Sequence, residues 1–149
     1  MPLSDNDNQE LIALCAHTNP QSSTRLVAFI DMLLRWSAVH NLTALTTSTA
    51  IYRQLVVPSI AVAQILKAYC RCLDLGSGGG IPGVVCAILN PDQHWCLVEK
   101  SPKKSSFLRY CCQHLELKNT DVHCKDFRSL PVSPDIEVIV SRGSAQLPV

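Results

Sequence analysis

The chain has 149 residues, of which 47% are hydrophobic and 17% are charged, and its formal net charge is +1. This length suits a single domain with a core of its own. Because the net charge is close to zero, it gives no argument for a nucleic-acid partner. Such a partner could be argued only from local basic patches. No uninterrupted apolar run is long enough to span a membrane, and the first ten residues carry acidic side chains. We therefore expect a soluble, intracellular protein.

The cysteines are expected to be reduced and to act as small apolar residues of the core. A disulfide framework requires a secreted context, which nothing in the sequence indicates. No pair of C-x-x-C elements occurs at zinc-binding spacing, so we predict no metal site, with the adjacent His123 and Cys124 as the alternative. The cysteines are Cys15, Cys70, Cys72, Cys86, Cys96, Cys111, Cys112 and Cys124.

Residues 1–69 are predicted to form a helical cap that is continuous with the main domain, because no Gly/Ser-rich linker separates the two. Residues 1–9 are polar, and we expect them to be loose. A short helix is predicted from Glu10 to Ala16, and Asn19-Pro20 breaks it.

A longer helix is predicted next, with Ser22 or Ser23 as its N-cap and its end near His40. Its apolar residues recur at helical spacing, which indicates one face packed on the main domain. Residues 41–46 are rich in threonine and asparagine and suit a loop.

Residues 48–69 are mostly apolar and are predicted to form one or two helices, with Pro58 as a break or a first turn. From residue 70 onward, short apolar strands alternate with helical segments. Strands are predicted at 72–75, 94–98, 120–123 and 136–140, and helices at 81–89 and 101–117. This alternation indicates a parallel α/β sheet with right-handed crossovers.

A glycine-rich stretch lies between the first strand and the helix that follows it. It reads Gly76-Ser77-Gly78-Gly79-Gly80-Ile81-Pro82-Gly83. Such a loop brings a nucleotide-type ligand against a helix N-terminus, since a side chain would hold the ligand away and the turn often requires positive φ. Asp74 precedes the loop, so we expect it at the carboxyl edge of the sheet, where ligands bind.

Two further features lie at the ends of the next strands. Glu99 closes the second strand 25 residues after Asp74, where an acid can accept hydrogen bonds from two ribose hydroxyls. The third strand is followed by Lys125-Asp126-Phe127-Arg128, where an adenine-like ring could lie along the backbone near Phe127. The alternative for Glu99 is a surface carboxylate without a ligand, and the alternative for residues 125–128 is an ordinary loop.

A dinucleotide-dependent oxidoreductase is one alternative for the glycine loop. Its fingerprint requires glycine at the first, third and sixth positions. Counting from Gly76 places Ile81 at the sixth position, and counting from Gly78 places Pro82 directly before the third glycine. Both registers fit poorly. A P-loop is excluded because no Gly-Lys-Ser/Thr follows, and the loop fits better with an S-adenosylmethionine-dependent methyltransferase.

Four stretches, in this order, resemble one family. They are Asn41-Leu42-Thr43, the stretch from Leu73 to Gly83, Glu99-Lys100-Ser101 with Lys103, Lys104, Phe107 and Leu108, and Val140-Ser141-Arg142. They resemble bacterial ribosomal RNA small-subunit methyltransferase G, also called glucose-inhibited division protein B, over about residues 25–142. Gly-x-Gly alone is a weak signal, whereas Gly-Ile-Pro-Gly followed later by Ser-Arg is a strong one.

The resemblance implies an α/β, Rossmann-like class I S-adenosylmethionine-dependent methyltransferase fold with an N-terminal helical cap. It implies methylation of N7 of a guanine in small-subunit ribosomal RNA, with S-adenosylmethionine as cofactor, that RNA or the 30S subunit as partner, and a cytoplasmic location. The residues that it assigns to the cofactor are Asp74, Gly76, Ser77, Gly78, Gly80, Ile81, Glu99, Asp126, Phe127, Arg128 and Arg142.

The implied chemistry needs no catalytic side chain. N7 of guanine carries a free lone pair and no proton, so in-line positioning against the methyl group can supply most of the acceleration. A local basic cluster is predicted to contact RNA phosphates, with a solvated helix face as the alternative. It consists of Lys100, Lys103, Lys104 and Arg109.

The chain departs from the family's pattern in three places. The family carries Arg-His and then Asp-Ser in the helix before the first strand, where this chain has Arg53-Gln54 and Pro58-Ser59. Arg128 stands where the family often has an acidic residue. The family's sheet also continues past the Ser-Arg strand, so residues 70–149 are expected to form an incomplete, C-terminally truncated domain with an exposed apolar edge. The alternative function is a non-catalytic donor-binding remnant or a partner-dependent structural domain.

Overall fold

The computed structural model describes residues 2–142. The α-helices in this part of the chain are α1 (Asp5–Leu14), α2 (Ser22–His40), α3 (Ser48–Ile51), α4 (Val57–Leu66), α5 (Gly83–Leu89) and α6 (Pro102–His114). The strands are β1 (Arg71–Leu75), β2 (His94–Val98), β3 (Thr120–His123) and β4 (Val138–Ser141). A π-helical turn, Tyr52–Val56, joins α3 to α4, and a 3-10 turn, Phe127–Ser129, follows β3.

The strands form one parallel sheet in the order β3-β2-β1-β4. Leu73 of β1 lies opposite Cys96 of β2 and Ile139 of β4. The predicted parallel α/β architecture is confirmed, together with the bounds of β2 and β3. Apart from the start of α1, the other predicted ends agree or differ by no more than three residues, because the ends of elements depend on local hydrogen bonds that periodicity does not report.

The strand order defines a crevice at the carboxyl end of β1. The chain passes from β1 to β2 on one side and returns to β4 on the other, so the strand order reverses beside β1. Ligands of open α/β sheets bind in the crevice at this reversal. The glycine loop follows β1 and Glu99 follows β2, so both lie at this edge.

Helix α1 shows that the expectation of a loose segment was wrong for residues 5–9, and that the helix predicted at Glu10–Ala16 starts five residues earlier and ends two residues earlier. The helix begins at Asp5, and the hydroxyl of its N-cap, Ser4, accepts a 3.1 Å hydrogen bond from the amide of Asp7. The Asp7 side chain is 2% exposed and lies 2.6 Å from the guanidinium of Arg53. Local polarity suggested a loose segment because the partner that orders it lies 46 residues further along the chain.

Helix α2 ends at His40, as predicted, but its N-cap is Gln21 rather than a serine, so it begins one or two residues earlier than predicted. Asn41 ends the helix with a left-handed φ of 52°, and the predicted loop follows. The predicted apolar face is confirmed as part of the core. Its buried residues include Leu26, Phe29, Ile30 and Leu33.

One continuous helical stretch, Ser48–Leu66, runs through Pro58. Pro58 has no N–H to donate to the preceding turn. The helix widens into the π-helical turn just before it, and the hydroxyl of Ser59 donates to the Leu55 carbonyl at 2.7 Å. Within residues 2–142 this is the one helix long and apolar enough to cross a membrane. The finding is weak evidence for a membrane span, because the core helix of a soluble protein passes the same test. In this structure 44% of its most apolar window is buried in the fold.

The helices build the main core on one face of the sheet, where Phe29, Trp95 and Phe107 are completely buried. The other face carries a small cluster made by Leu73, Leu75, Val98, Phe127, Leu130 and Ile136. Within residues 2–142, strand β4 is paired only with β1, and its Ile139 is 47% exposed. The expected exposed apolar edge is therefore present.

All eight cysteines are free; four are buried, three are half-buried and Cys70 is exposed. The interpretation as core residues is confirmed for the buried ones. Burial raises the pKa of Cys72 to about 11, so this thiol stays protonated at neutral pH. The described residues contain no group of three or more His, Cys, Asp or Glu side chains that could hold a metal ion.

Candidate functional site

The glycine loop is tied to the second strand by backbone hydrogen bonds. The amides of Gly76 and Ser77 both donate to the carbonyl of Val98, at 2.8 and 3.0 Å. Gly76 and Gly78 have φ angles of 72° and 51°, in a region that side chains rarely allow. The loop therefore folds over the end of β2, and its conformation requires glycine at these two positions.

Gly83 is required for close packing. It is the first residue of α5, which begins two residues later than predicted. An added Cβ would lie 2.5 Å from Oδ2 of Asp74 and 2.5 Å from Cδ2 of Leu97. The amide of Gly83 donates a 3.0 Å hydrogen bond to the same Oδ2, which fastens the helix to the end of β1.

Asp74 lies beneath the loop and lines none of the three cavities described below. It is fully buried, and its Oδ1 has no hydrogen-bond partner. Burial raises the pKa of Asp74 to about 7; the charge of Glu99 adds to the shift, and the hydrogen bond from Gly83 opposes it. Asp74 therefore supports the loop from below, and its enclosed carboxyl group offers no surface to a ligand.

Glu99 bridges the glycine loop and the start of α6. Its Oε1 accepts a 3.0 Å hydrogen bond from the amide of Gly78, and its Oε2 accepts a 2.8 Å hydrogen bond from the amide of Ser101. Glu99 is 7% exposed. Each carboxylate oxygen has a second lone pair, so this side chain can still accept hydrogen bonds from a ligand.

Two cavities meet at Gly76 and form one cleft over the carboxyl ends of β1 and β2. The first, which we call the Glu99 cavity, has a volume of about 130 Å³ and is lined by Gly76, Val98, Glu99, Lys100, Lys104, Lys125, Asp126, Phe127 and Arg128. The second, the loop cavity, also has a volume of about 130 Å³ and is lined by Leu33, Leu42, Thr43, Leu55, Gly76, Ser77, Gly78, Gly79, Ile81 and Arg142.

A third and larger cavity, the edge cavity, lies beside the open edge of β4. Its volume is about 450 Å³, and its lining comes from α4, the π-helical turn, the end of the glycine loop, β4 and the residue after β4. Leu55, Ile81 and Arg142 line both this cavity and the loop cavity. These three residues therefore separate the cleft from the edge of the sheet.

The 3-10 turn after β3 brings three predicted cofactor residues to the Glu99 cavity. Asp126 accepts hydrogen bonds of 3.0 Å from the amide and 3.0 Å from the guanidinium of Arg128. The hydrogen bonds from Arg128 lower the pKa of Asp126. Phe127 is half-buried against the small cluster on the second face of the sheet. The guanidinium of Arg128 is thus already engaged by its neighbour.

Basic side chains gather at the Glu99 cavity. Lys100 and Lys104 line it together with Lys125, which was not among the predicted basic contacts. Lys103 is exposed on α6, and Arg109 lies away from the cavity, where it donates a long 3.5 Å hydrogen bond to a carbonyl of β3. Lys125 lies two residues after the end of β3, so its position near a strand's carboxyl end was the signal that could have identified it.

Apolar residues from the N-terminal helical cap complete the loop cavity. The sequence pattern had predicted only packing helices and a connecting loop in this part of the chain. Leu42 and Thr43 lie opposite the glycines, beside Leu33 of α2 and Leu55 of the π-helical turn. Ser37 holds this segment, because its hydroxyl donates to the Thr43 carbonyl at 2.8 Å and accepts from the Thr43 amide at 2.9 Å. The Asn-Leu-Thr motif was the available signal.

A parallel sheet with a glycine loop after β1 and a bridging carboxylate after β2 is a Rossmann-like α/β fold, the architecture expected of this class of methyltransferase. The family model described as GidB, rRNA small subunit methyltransferase G, matches residues 22–149. The chain therefore belongs to this family, and the resemblance seen in its motifs is confirmed.

Individual relatives carry the same description. The Ribosomal RNA small subunit methyltransferase G of Wolinella succinogenes is 35% identical over 124 residues, which is 83% of this chain and 63% of the relative. The proteins of that name from Salmonella paratyphi B and Salmonella typhimurium are 34% identical over 124 residues, 83% of this chain and 59% of each relative. The chain thus spans about 60% of the length of the curated relatives it matches.

Proposed function

We propose that this chain binds S-adenosylmethionine in the cleft over β1 and β2 and methylates N7 of a guanine in small-subunit ribosomal RNA. The observation that carries the proposal is the pair of hydrogen bonds from the amides of Gly78 and Ser101 to Glu99, which holds a carboxylate in the cleft. The names of the relatives support methyl transfer to ribosomal RNA. The cofactor and the position on the base rest on the family resemblance.

The residues of the cleft fit the proposed cofactor. Glu99 retains lone pairs that would accept the ribose hydroxyls. A Cβ on Gly78 would lie 4.0 Å from Oε1 of Glu99, so the absent side chain leaves room beside the carboxylate. Phe127 offers an apolar surface for the adenine in the Glu99 cavity, and Ile81 lines the loop cavity, which would take the methionine part. Because its guanidinium is paired with Asp126, Arg128 would contribute through its backbone.

The chain's part in the reaction is to orient the reactants. S-adenosylmethionine, when bound, supplies an electrophilic methyl group. N7 of guanine has a lone pair and no proton to lose, so the site requires no general base, and alignment of the base is the main requirement. Arg142 lines both the loop cavity and the edge cavity, and we assign it to the incoming guanine.

Contact with RNA is assigned to the lysines of the Glu99 cavity. Lys100, Lys104 and Lys125 converge there, and cations at this position would neutralise backbone phosphates. Lys103 and Arg109 would extend the contact along α6. The proposed partner is small-subunit ribosomal RNA, free or within the 30S subunit, which places the protein in the cytoplasm.

Donor binding without methyl transfer is a second candidate. The observation that favours it is the open edge of the sheet, where β4 is paired only with β1 within residues 2–142 and Ile139 is 47% exposed. A protein with such an edge is also suited to a partner that covers it. In that case the cleft would bind the cofactor, but the target base would not be held in line.

Two measurements test these functions. Calorimetric titration with S-adenosylmethionine and, separately, with NAD tests the cofactor, and we expect heat of binding only for the first. Transfer of a radiolabelled methyl group to unmodified 30S subunits, followed by mapping of the modified base, tests the reaction. Donor binding with no transfer would favour the second candidate, and binding of NAD alone would refute both.

A further inference from the structure

Helix α1 contributes no residue to the lining of the cleft, and it lies before the residues matched by the family model. Its side chains nevertheless reach the helical stretch that borders the cleft. Oδ1 of Asp7 accepts from the guanidinium of Arg53 at 2.6 Å, and Oδ2 accepts from the hydroxyl of Thr49 at 3.1 Å. One turn later on α1, Oε1 of Glu10 accepts from the hydroxyl of Tyr52 at 2.9 Å.

Each of these contacts joins a buried side chain, Asp7 or Tyr52, to an exposed partner. The side chain of Asp7 is 2% exposed, and Tyr52 is completely buried. Burial acts to raise the pKa of Asp7, but hydrogen bonds from Ser4, Arg53 and Thr49 outweigh it, and the pKa lies below its ordinary value. Asp7 is thus ionised at neutral pH, and replacing it with asparagine would remove the charge that pairs with Arg53, whose own side chain is 55% exposed.

The residues that α1 contacts include the first two of the π-helical turn, Tyr52 and Arg53. A π-helical turn is a rare geometry, and the neighbouring α-helical register is the ordinary alternative. The turn also carries Leu55, which is 5% exposed and lines both the loop cavity and the edge cavity. The register of this turn therefore sets where the Leu55 side chain lies relative to the glycine loop.

We propose that α1 holds the π-helical turn in the register that presents Leu55 to the loop cavity, so that Asp7 and Glu10 are positioning residues for the cleft. Neither residue lines the cleft, so they would act without touching cofactor or substrate. The competing explanation is that α1 stabilises the chain as a whole, with no specific effect on the cleft.

A double-mutant cycle on the binding of S-adenosylmethionine separates these explanations. This experiment rests on the proposed function, because it requires that the chain binds that cofactor. The proteins are wild type, Asp7→Asn, Leu55→Ala and the double variant, and the measurement is the Kd for S-adenosylmethionine well below the melting temperature. We expect each single variant to bind about 5- to 20-fold more weakly, and the double variant to be little worse than Leu55→Ala, because Asp7 acts through Leu55. Independent, multiplicative losses would overturn the proposal.

Two controls remove the effect of general destabilisation. Cys111→Ala deletes a buried side chain in the second half of α6 and is expected to lower the melting temperature without changing the Kd. Tyr52→Phe removes only the hydroxyl that meets Glu10 and is expected to weaken binding about threefold, within the range of one net hydrogen bond. A Kd that follows melting temperature across all variants would contradict a positioning role.

Hydrogen exchange tests the same inference without any ligand. We expect Asp7→Asn to accelerate exchange of the amides at 53–57 and 59 while those of β1 and β2 stay protected, and Cys111→Ala to leave exchange in this segment unchanged. Unaltered exchange at these amides in Asp7→Asn would refute the inference. If the wild-type chain bound no donor, the proposed function would fail, and the exchange measurement would still decide whether α1 holds the turn.

Discussion

The amide of Gly78 donates a 3.0 Å hydrogen bond to the carboxylate of Glu99, 21 residues further along the chain. The other oxygen of the same carboxylate accepts from the amide of Ser101. One side chain thus joins the glycine loop of β1 to the helix that follows β2. Glu99 holds the glycine loop in the structure, and it is proposed to bind the ribose hydroxyls of the cofactor. Both functions require a side chain in which both oxygens accept hydrogen bonds.

Glu99→Gln tests this dependence. The amide nitrogen of glutamine is a donor, so one of the two backbone N–H groups would face another donor in a 7% exposed position. We expect the affinity for S-adenosylmethionine to fall at least tenfold and the free energy of unfolding to fall by about 1–3 kcal/mol. The exposed Asp31→Asn, which loses only a surface pair with Arg35, should change neither by more than a small amount. Unchanged donor affinity in Glu99→Gln would remove Glu99 from the site.

Gly83→Ala should destabilise the chain strongly. Its Cβ would lie 2.5 Å from Asp74 Oδ2 and 2.5 Å from Leu97 Cδ2, so the start of α5 would have to move away from the sheet. We expect a loss of about 3 kcal/mol in urea denaturation. Gly79→Ala is the matched control: its Cβ would meet the flexible end of Leu33 at 3.1 Å, and the expected loss is below about 1 kcal/mol. Equal losses would show that the close approach at Gly83 does not matter.

Asp74 predicts a pH dependence of stability. Its pKa of about 7 in the folded chain lies above the ordinary value of 3.8, so between these pH values the folded chain retains a proton that the unfolded chain has lost. The contribution to stability is therefore fully present below about pH 4 and is lost as pH rises through about 7, with a total of about 4 kcal/mol. Asp74→Asn should abolish this slope, whereas Asp92→Asn, which changes an exposed aspartate, should leave it intact. A wild-type stability that does not fall between pH 4 and pH 8 would show that Asp74 is ionised.

The lysines of the Glu99 cavity predict a change in the salt dependence of RNA binding. We expect Lys100→Gln/Lys104→Gln to weaken binding to unmodified small-subunit ribosomal RNA and to lower the slope of log K against log salt by about two. Lys118→Gln, which changes an exposed lysine outside the cleft, should keep the wild-type slope. The same slope in all three proteins would place the RNA elsewhere.

The strands and the position of Glu99 were predictable from the sequence because both follow from short-range patterns. Alternating apolar runs gave the bounds of β2 and β3, and parallel strands put Glu99 and the glycine loop at one edge. The enclosure of Asp74 was not predictable, because it depends on how closely the backbone of Gly83 approaches. The position of Leu55 in the cavity lining was not predictable either, since periodicity does not distinguish a π-helical turn from a regular α-helical one.

Strand β4 also has a consequence for the order in which the molecule assembles. The amide of Arg71, at the start of β1, donates to a carboxylate oxygen of Glu137, which lies 66 residues later and directly before β4. The partner of Arg71 in β2 is His94, which is much nearer along the chain. Pairings that join distant parts of a chain form later than nearer ones. During translation, β1, β2 and β3 can associate while one flank of β1 is still uncovered. Arg142 follows β4, so the nascent polypeptide has no complete loop cavity until that residue has left the ribosome.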